Sequence, residues 1–186
     1  MTTYGSPEAI INQVKRIVES DRRSEIRLNA NGGNSILLVC PPEQEAVFIA
    51  KIKEMLSQAE YAVINLDEVL VTFIEKAAPL SDLFDLLRGS LHQIFKTPEG
   101  EQSNDLFSLI LTLIAETFAA NKVPVLIRAG ALYGTGIDNL HLMENELVMN
   151  SKKPLIILYP ATKEGDKLMF LNSRPASRYR CLIVEN

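Results

Sequence analysis

Residues 35–56 read SILLVCPPEQEAVFIAKIKEML, and residues 61–70 follow as YAVINLDEVL. Ser35–Cys40 is an unbroken apolar run stopped by Pro41-Pro42, which remove two backbone donors and end a strand. A strand that is apolar on both faces belongs between two layers of helices, and strands of that kind run parallel. From Glu43 to Ala59 the residues Ala46, Val47, Ile49, Ala50, Ile52, Met55, Leu56 and Ala59 recur at helical spacing, so this segment is expected as a helix with that stripe inward. Tyr61–Leu66 is the next strand, ended by Asp67. Strand, helix, strand opens an α/β sheet.

The same pattern continues outward. Val123–Arg128 (VPVLIR), Pro154–Tyr159 (PLIILY, stopped by Pro160) and Arg180–Val184 (RCLIV) read as further strands, with Lys167–Leu171 (KLMFL) a short one. Pro7–Glu19 is an amphipathic helix with Ser6 as its cap and Pro7 at its first position. Ser81–Phe95 and Ser103–Asn121 read as a helical pair joined by the polar loop 96–102, and Asp138–Met149 as one helix. The expectation is a single α/β domain over residues 1–186: three layers, a mostly parallel sheet of about five strands, and an antiparallel C-terminal edge. Residues 1–34 form an N-terminal helix and arm, and 68–121 a helical insertion. The segment after Pro160 is too short for a crossover helix and is expected to return as an antiparallel hairpin or meander.

With 186 residues, 47% of them hydrophobic and 23% charged, the chain is neither disordered nor of low complexity. Its formal net charge of −4 disfavours wholesale binding of nucleic acid or acidic lipid, though it leaves room for a local basic patch. Cys40 and Cys181 lie in apolar runs, form no C-x-x-C pair, and read as small buried hydrophobes of a reducing compartment. The opening MTTYGSPEAIINQVKR has no signal architecture. The longest apolar stretch, 106–120, carries Glu116 and is too short to span a bilayer, so a cytoplasmic protein without membrane contact is expected.

Ligands of open α/β sheets sit at the carboxyl ends of the strands, which nominates four turns. The first, Cys40–Glu45, stands where a phosphate loop would, but it has no Gly and no Lys, and its prolines lack the N–H groups that bind phosphate. It reads as a helix start, so any nucleotide-hydrolase ancestry would leave a dead site: a degenerate P-loop-type fold lacking the phosphate loop. The second turn places Asp67 and Glu68 at a helix start, an ordinary cap that could also hold ribose or magnesium. The third, residues 128–141, spaces its glycines as G-x-x-x-G-x-G; Asn139 stands where a dinucleotide fingerprint would have its last Gly. It is expected to present Tyr133, Thr135 and Arg128. The fourth turn, 159–166, leads to Arg174, Arg178, Tyr179 and Arg180, a basic and aromatic patch on an acidic chain. The Asn31–Asn34 turn faces the other end of the sheet and carries no expected phosphate site.

His141, Glu144 and Asn145 share a helical face, yet one His and one carboxylate fall short of the three or four ligands zinc needs. His92 stands apart. No G-x-S-x-G or H-E-x-x-H occurs, and no Cys–His motif. No catalytic centre, cofactor or metal is expected.

Three of these stretches resemble the BrxB proteins of bacterial phage-exclusion (BREX) systems: ILLVCPPEQEAVFIAKIKEML with YAVINLDEVL; PVLIRAGALYGTGIDNLHLMENEL; and PLIILYPATKEGDKLMFLNSRPASRYRCLIV. The likeness covers about two-thirds of the chain and departs at Tyr133–Gly136, where members of that family tend to be bulkier. It implies a small, non-enzymatic accessory of antiviral defence that works beside a PglZ-type phosphatase-like protein, a DNA methyltransferase and a large ATPase. A docking face of Tyr133, Thr135, His141 and Arg178, Tyr179, Arg180 is expected, with the PglZ-type protein or another BREX component as partner. The alternative is a nucleotide-binding or weakly hydrolysing domain using Asp67, Arg128 and the 130–136 loop. Nucleic-acid contact through Arg174, Arg178 and Arg180 is disfavoured by the net charge.

Overall fold

The computed structural model describes residues 6–20, 23–76, 95–97, 104–165, 167–176 and 180–185. Five parallel strands form the sheet: β1 (Ser35–Cys40), β2 (Tyr61–Asn65), β3 (Val123–Ile127), β4 (Leu155–Glu164) and β7 (Leu182–Val184), in the spatial order β2-β3-β4-β1-β7. Two short antiparallel strands, β5 (Lys167–Phe170) and β6 (Arg174–Pro175), hang from the far end of β4.

Alternation along the strands builds two cores. Ile36, Leu38 and Cys40 of β1, with Ile156 and Leu158 of β4, pack against helices α1 (Pro7–Glu19) and α3 (Glu45–Met55) through Ile11, Val14, Phe48 and Ile52. Leu37 and Val39, with Leu155, Ile157 and Tyr159, face the opposite layer. There α4 (Leu66–Lys76) contributes Leu66, α5 (Leu106–Ala119) contributes Ile110 and Ile114, and α6 (Asn139–Met143) and α7 (Glu146–Asn150) contribute Leu142, Met143 and Val148. Every residue of β1 and β3 is buried, as their continuous apolar runs require. This is the expected three-layer α/β arrangement.

Several local expectations change. The helix expected from Glu43 begins as a 3₁₀ turn, Pro42–Gln44, and ends at Met55; Phe48 points inward while Val47 is 52% exposed. Ile49, Ile52 and Leu56 of the expected stripe stay inward, Phe48 joins them, and Ala46, Val47 and Ala50 face out, which narrows the buried face. The N-terminal arm holds a second helix, α2 (Arg23–Asn29). The helix expected over Asp138–Met149 is two, because the Asn145 side chain accepts from the Leu147 N–H and starts a new helix there. The helix expected at 81–95 lies outside the described residues except for Phe95, whose ring centroid is 6.2 Å from that of Phe73.

The segment after Pro160 returns as the expected antiparallel meander, β4–β5–β6, while the last strand, β7, runs parallel to β1. β4 does not stop at Pro160. Up to that residue it pairs with β1, and from Ala161 it pairs with β5. Pro160 has no N–H to offer a ladder, and its carbonyl accepts from the Leu171 N–H at 2.9 Å, so the proline marks a change of partner.

At the other end of the sheet, the Asn31–Asn34 turn is a structural knot. Asn34 is fully buried, and its Nδ2 donates to the carbonyls of Val148 (2.9 Å), Ser151 (3.1 Å) and Lys153 (3.0 Å). It thereby ties the start of β1 to the segment entering β4. Gly33 lies so close beneath the Arg180 carbonyl that a Cβ there would overlap its oxygen. Asn34→Ala should cost about 2–3 kcal/mol in urea unfolding, because one buried and two part-buried carbonyls lose their donor. Asn34→Asp should cost more, since it turns a carboxylate oxygen toward them.

Candidate functional site

β1 leads to α3 on one face, whereas β3 and β4 lead to elements on the other. The direction of exit therefore switches between the neighbouring strands β1 and β4, the place where open α/β sheets bind ligands. A cleft of about 430 Å³ opens beside that point, at the carboxyl ends of β3 and β4. The loop after β3 forms one wall, with Ala129, Leu132, Tyr133, Ile137 and Asn139; Tyr159, Phe170, Arg174 and Pro175 form the other.

Each wall follows from local sequence. Arg128 takes a left-handed conformation (φ 62°, ψ 41°) that turns the chain off β3 into the 3₁₀ turn Ala129–Leu132. Gly134 and Gly136, at φ 86° and 81°, let the loop fold back. Thr135 is turned inward, which corrects the expectation that the loop presents it. Its hydroxyl donates to the Leu132 carbonyl at 2.8 Å and accepts from the Ile137 N–H at 3.2 Å. Asp138 and His141 form a reciprocal cap on α6: the Asp138 N–H donates to His141 Nδ1 at 3.0 Å, and the Asp138 carboxylate accepts from the Leu140 N–H. His141 thus fixes the loop while its ring lines the cleft, edge-on to Phe107 at 6.4 Å.

On the opposite wall, Tyr159 and Phe170 stack at 4.7 Å between centroids and 27° between planes, a contact made when β5 folds back on β4. Arg174, on β6, brings its guanidinium carbon 5.8 Å from the centre of the Tyr133 ring. Of the expected docking residues, Tyr133 and His141 lie at the cleft, and Tyr133 is 59% exposed. Arg180 is exposed and faces Glu144 at 3.9 Å. Arg178 and Tyr179 lie outside the described residues. Asn139 escaped the sequence reading as a site residue. It is 4% exposed, it lines the cleft, and its Oδ1 has no hydrogen-bond partner among the described residues. Its place in the G-x-x-x-G-x-G-x-x-N run was the available signal.

The groups that the nucleotide alternative would need are paired with one another. Arg128 Nη1 meets Glu45 Oε2 at 3.0 Å and its Nε meets Asp67 Oδ2 at 3.7 Å, and neither Arg128 nor Asp67 lines the cleft. This charge cluster joins the carboxyl ends of β2 and β3 to the start of α3, and its Glu45 begins the helix at whose start a phosphate loop would stand. Burial pushes the Cys40 thiol well above the ordinary range and that of Cys181 up to about 12, so neither is poised as a thiolate at neutral pH. Among the described residues no group of three His, Cys, Asp or Glu side chains could hold a metal, and no helix is long and apolar enough to cross a membrane.

No protein-family model, curated protein or solved structure matches this chain. The chemistry of the cleft therefore rests on its own atoms.

The Glu45–Arg128 pair makes a pH prediction. Burial raises the Glu45 carboxyl above its ordinary value, and the Arg128 cation opposes that rise without cancelling it. A carboxyl raised on folding favours the folded state below its unfolded pKa and loses that contribution as pH climbs through the raised value. Arg128→Met leaves Glu45 buried without its cation and should cost about 1–3 kcal/mol at pH 7, with solvent access to Arg128 keeping it toward the low end. The cost should shrink at pH 4. Glu45→Gln, which keeps an acceptor for Arg128, should stay within about 1 kcal/mol of the parent and gain on it from pH 4 to 7. Urea unfolding at both pH values reads all three proteins.

Proposed function

We propose that this protein is a non-enzymatic docking module of a bacterial antiphage defence system, of the BrxB kind, and that its cleft face seats a larger component such as the PglZ-type protein. The observation that carries the reading is Tyr133, the one aromatic among the exposed large apolar side chains of the described residues. Tyrosine and arginine are the residue types over-represented at binding hot spots, and Arg174 lies over this ring. A capped, glycine-turned loop holds the ring out from a buried sheet, which limits the ordering entropy lost on binding.

Two further features support docking over catalysis. The position of a phosphate loop holds two prolines and an ion-paired glutamate in place of glycine and lysine. The cleft brings together stacked aromatics, a cation and a carboxamide, with His141 Nδ1 engaged in the helix cap. The resemblance in the order of segments supplies the identity of the partner class.

Co-expression with a PglZ-type protein tests the reading. A stoichiometric complex that survives a high-salt wash is expected. Tyr133→Ala combined with Arg174→Glu should weaken it by about thirtyfold or more, the scale of a hot-spot loss, with an unchanged melting temperature because both side chains are exposed. A complex indifferent to the double substitution would remove this face from consideration, and the absence of any complex would overturn the partner assignment.

A further inference from the structure

The two outer strands of the sheet differ. β7 is three residues long, the kind of short edge that resists further pairing. β2, at the opposite edge, pairs with β3 in unbroken parallel register from Tyr61–Val123 to Asn65–Ile127, and its five residues (YAVIN) carry no charge and no proline. Charges, prolines and bulges are the devices that keep an edge from pairing, and β2 has none of them. The register fixes which way its backbone points. The Glu60 carbonyl accepts from the Val123 N–H at 2.8 Å, so Ala62 and Ile64 bond to β3 while Tyr61, Val63 and Asn65 turn their groups outward. Two of those groups are already used. The Tyr61 N–H donates to the Ser57 carbonyl at 2.9 Å, and the carbonyl of Asn65, which caps α4, opens the first helical turn. The Tyr61 carbonyl, the Val63 N–H and carbonyl, and the Asn65 N–H have no hydrogen-bond partner among the described residues. Val63, at the centre of this row, is 36% exposed.

Along the strand the free groups alternate acceptor, donor, acceptor, donor, a row of partial charges complementary to its own reverse. We propose that β2 is a homodimer interface, in which two copies of this chain pair their β2 edges antiparallel about a two-fold axis at Val63. Each Val63 N–H donates to the other copy's Val63 carbonyl, and each Asn65 N–H to the other copy's Tyr61 carbonyl. The groups already used, the Tyr61 N–H and the Asn65 carbonyl, fall opposite one another, so this register leaves no free group unmatched. A shift of two residues in either direction sets free groups against used ones. The two exposed Val63 side chains meet at the axis and cover each other. An isologous contact of this kind consumes the edge and closes at two copies. At its ends Glu60 of one copy comes beside Asp67 of the other, a like-charge approach that keeps the association weak. No residue that lines the cleft takes part, so the proposal does not rest on the docking reading.

Sedimentation equilibrium of the full chain tests it. A monomer–dimer equilibrium is expected, with a dissociation constant on the order of 100 µM. Val63→Lys sets two like charges on the axis and should weaken the dimer about tenfold or more. Its melting temperature at about 10 µM, where the protein is monomeric, should match the parent's. Glu60→Lys places a cation beside the other copy's Asp67 and should tighten the dimer about threefold. Position 63 also allows a direct test of register. Cα atoms of a hydrogen-bonded antiparallel pair lie about 5.5 Å apart, within reach of a disulfide. Val63→Cys should therefore give a covalent dimer under mild oxidation. Val71→Cys, at a 52% exposed position on α4, should not, and the native Cys40 and Cys181 are buried. A parent that stays monomeric up to about 1 mM overturns the proposal and leaves the edge to a strand from another protein. So does a dimer that Val63→Lys leaves unchanged, or a Val63→Cys cross-link that forms no faster than that of Val71→Cys. Because only this chain is present, such a failure leaves the docking reading to its own test.

Discussion

The pairing of β1 with β4 is the constraint on which the rest of the molecule depends. It is parallel and unbroken over six positions, from Ser35 opposite Leu155 to Cys40 opposite Pro160, and it joins segments that lie far apart in the chain. Closing so long a loop costs entropy, and parallel ladders alone return little of it. The compensation comes from burial: the two strands present apolar side chains to both layers at once, so a single register fills both cores. A slip of one residue would exchange the layers and strand every side chain on the wrong face. Asn34 guards against that slip by clamping the entrance of the pair with three hydrogen bonds.

The cleft lies to one side of that pair. β3 leads into the 129–141 loop, β4 runs on past Pro160, and the cleft is the space between these two continuations. Pro160 then does the work of a hinge in the pairing pattern. β4 outlives its parallel partner, picks up β5, and carries Phe170 and Arg174 back over the gap. A crossover helix would have filled the space; the thin antiparallel return leaves it open.

Charge is divided between two neighbouring places. Across the carboxyl ends of β1, β2 and β3 two carboxylates share one guanidinium, with burial disfavouring the Glu45 charge and Arg128 supporting it. At the cleft, which Asp138 also lines, Arg174 lies over an aromatic ring and makes no ion pair among the described residues. The first arrangement belongs to stability and the second to recognition, which is why substitutions at Arg128 and at Arg174 should separate so cleanly in unfolding and binding measurements.

Local chemistry made the strands and most helix starts legible. Ser35–Cys40 is a strand because nothing in it is polar enough for a surface; Ser6-Pro7 starts a helix because a hydroxyl caps it and a proline fits its first turn. The same reasoning read the Cys40–Glu45 turn as a helix start, where a 3₁₀ turn does lead into α3, and it turned attention to the 128–141 loop, which lines the cleft. It misjudged what depends on contacts across the fold. Periodicity could not show that Asn145 restarts a helix, that Thr135 turns inward, or that β7 comes back parallel, because each outcome is decided by what else needs the same space. Nor could the sequence place Arg174 over Tyr133 or bury Asn139 at the edge of a cavity. Apolar runs and caps act over one or two turns of chain, so sequence alone settled the elements and the fold class. A cleft is the space left between elements distant in sequence, so only their packing decided where it lies and which side chains face it.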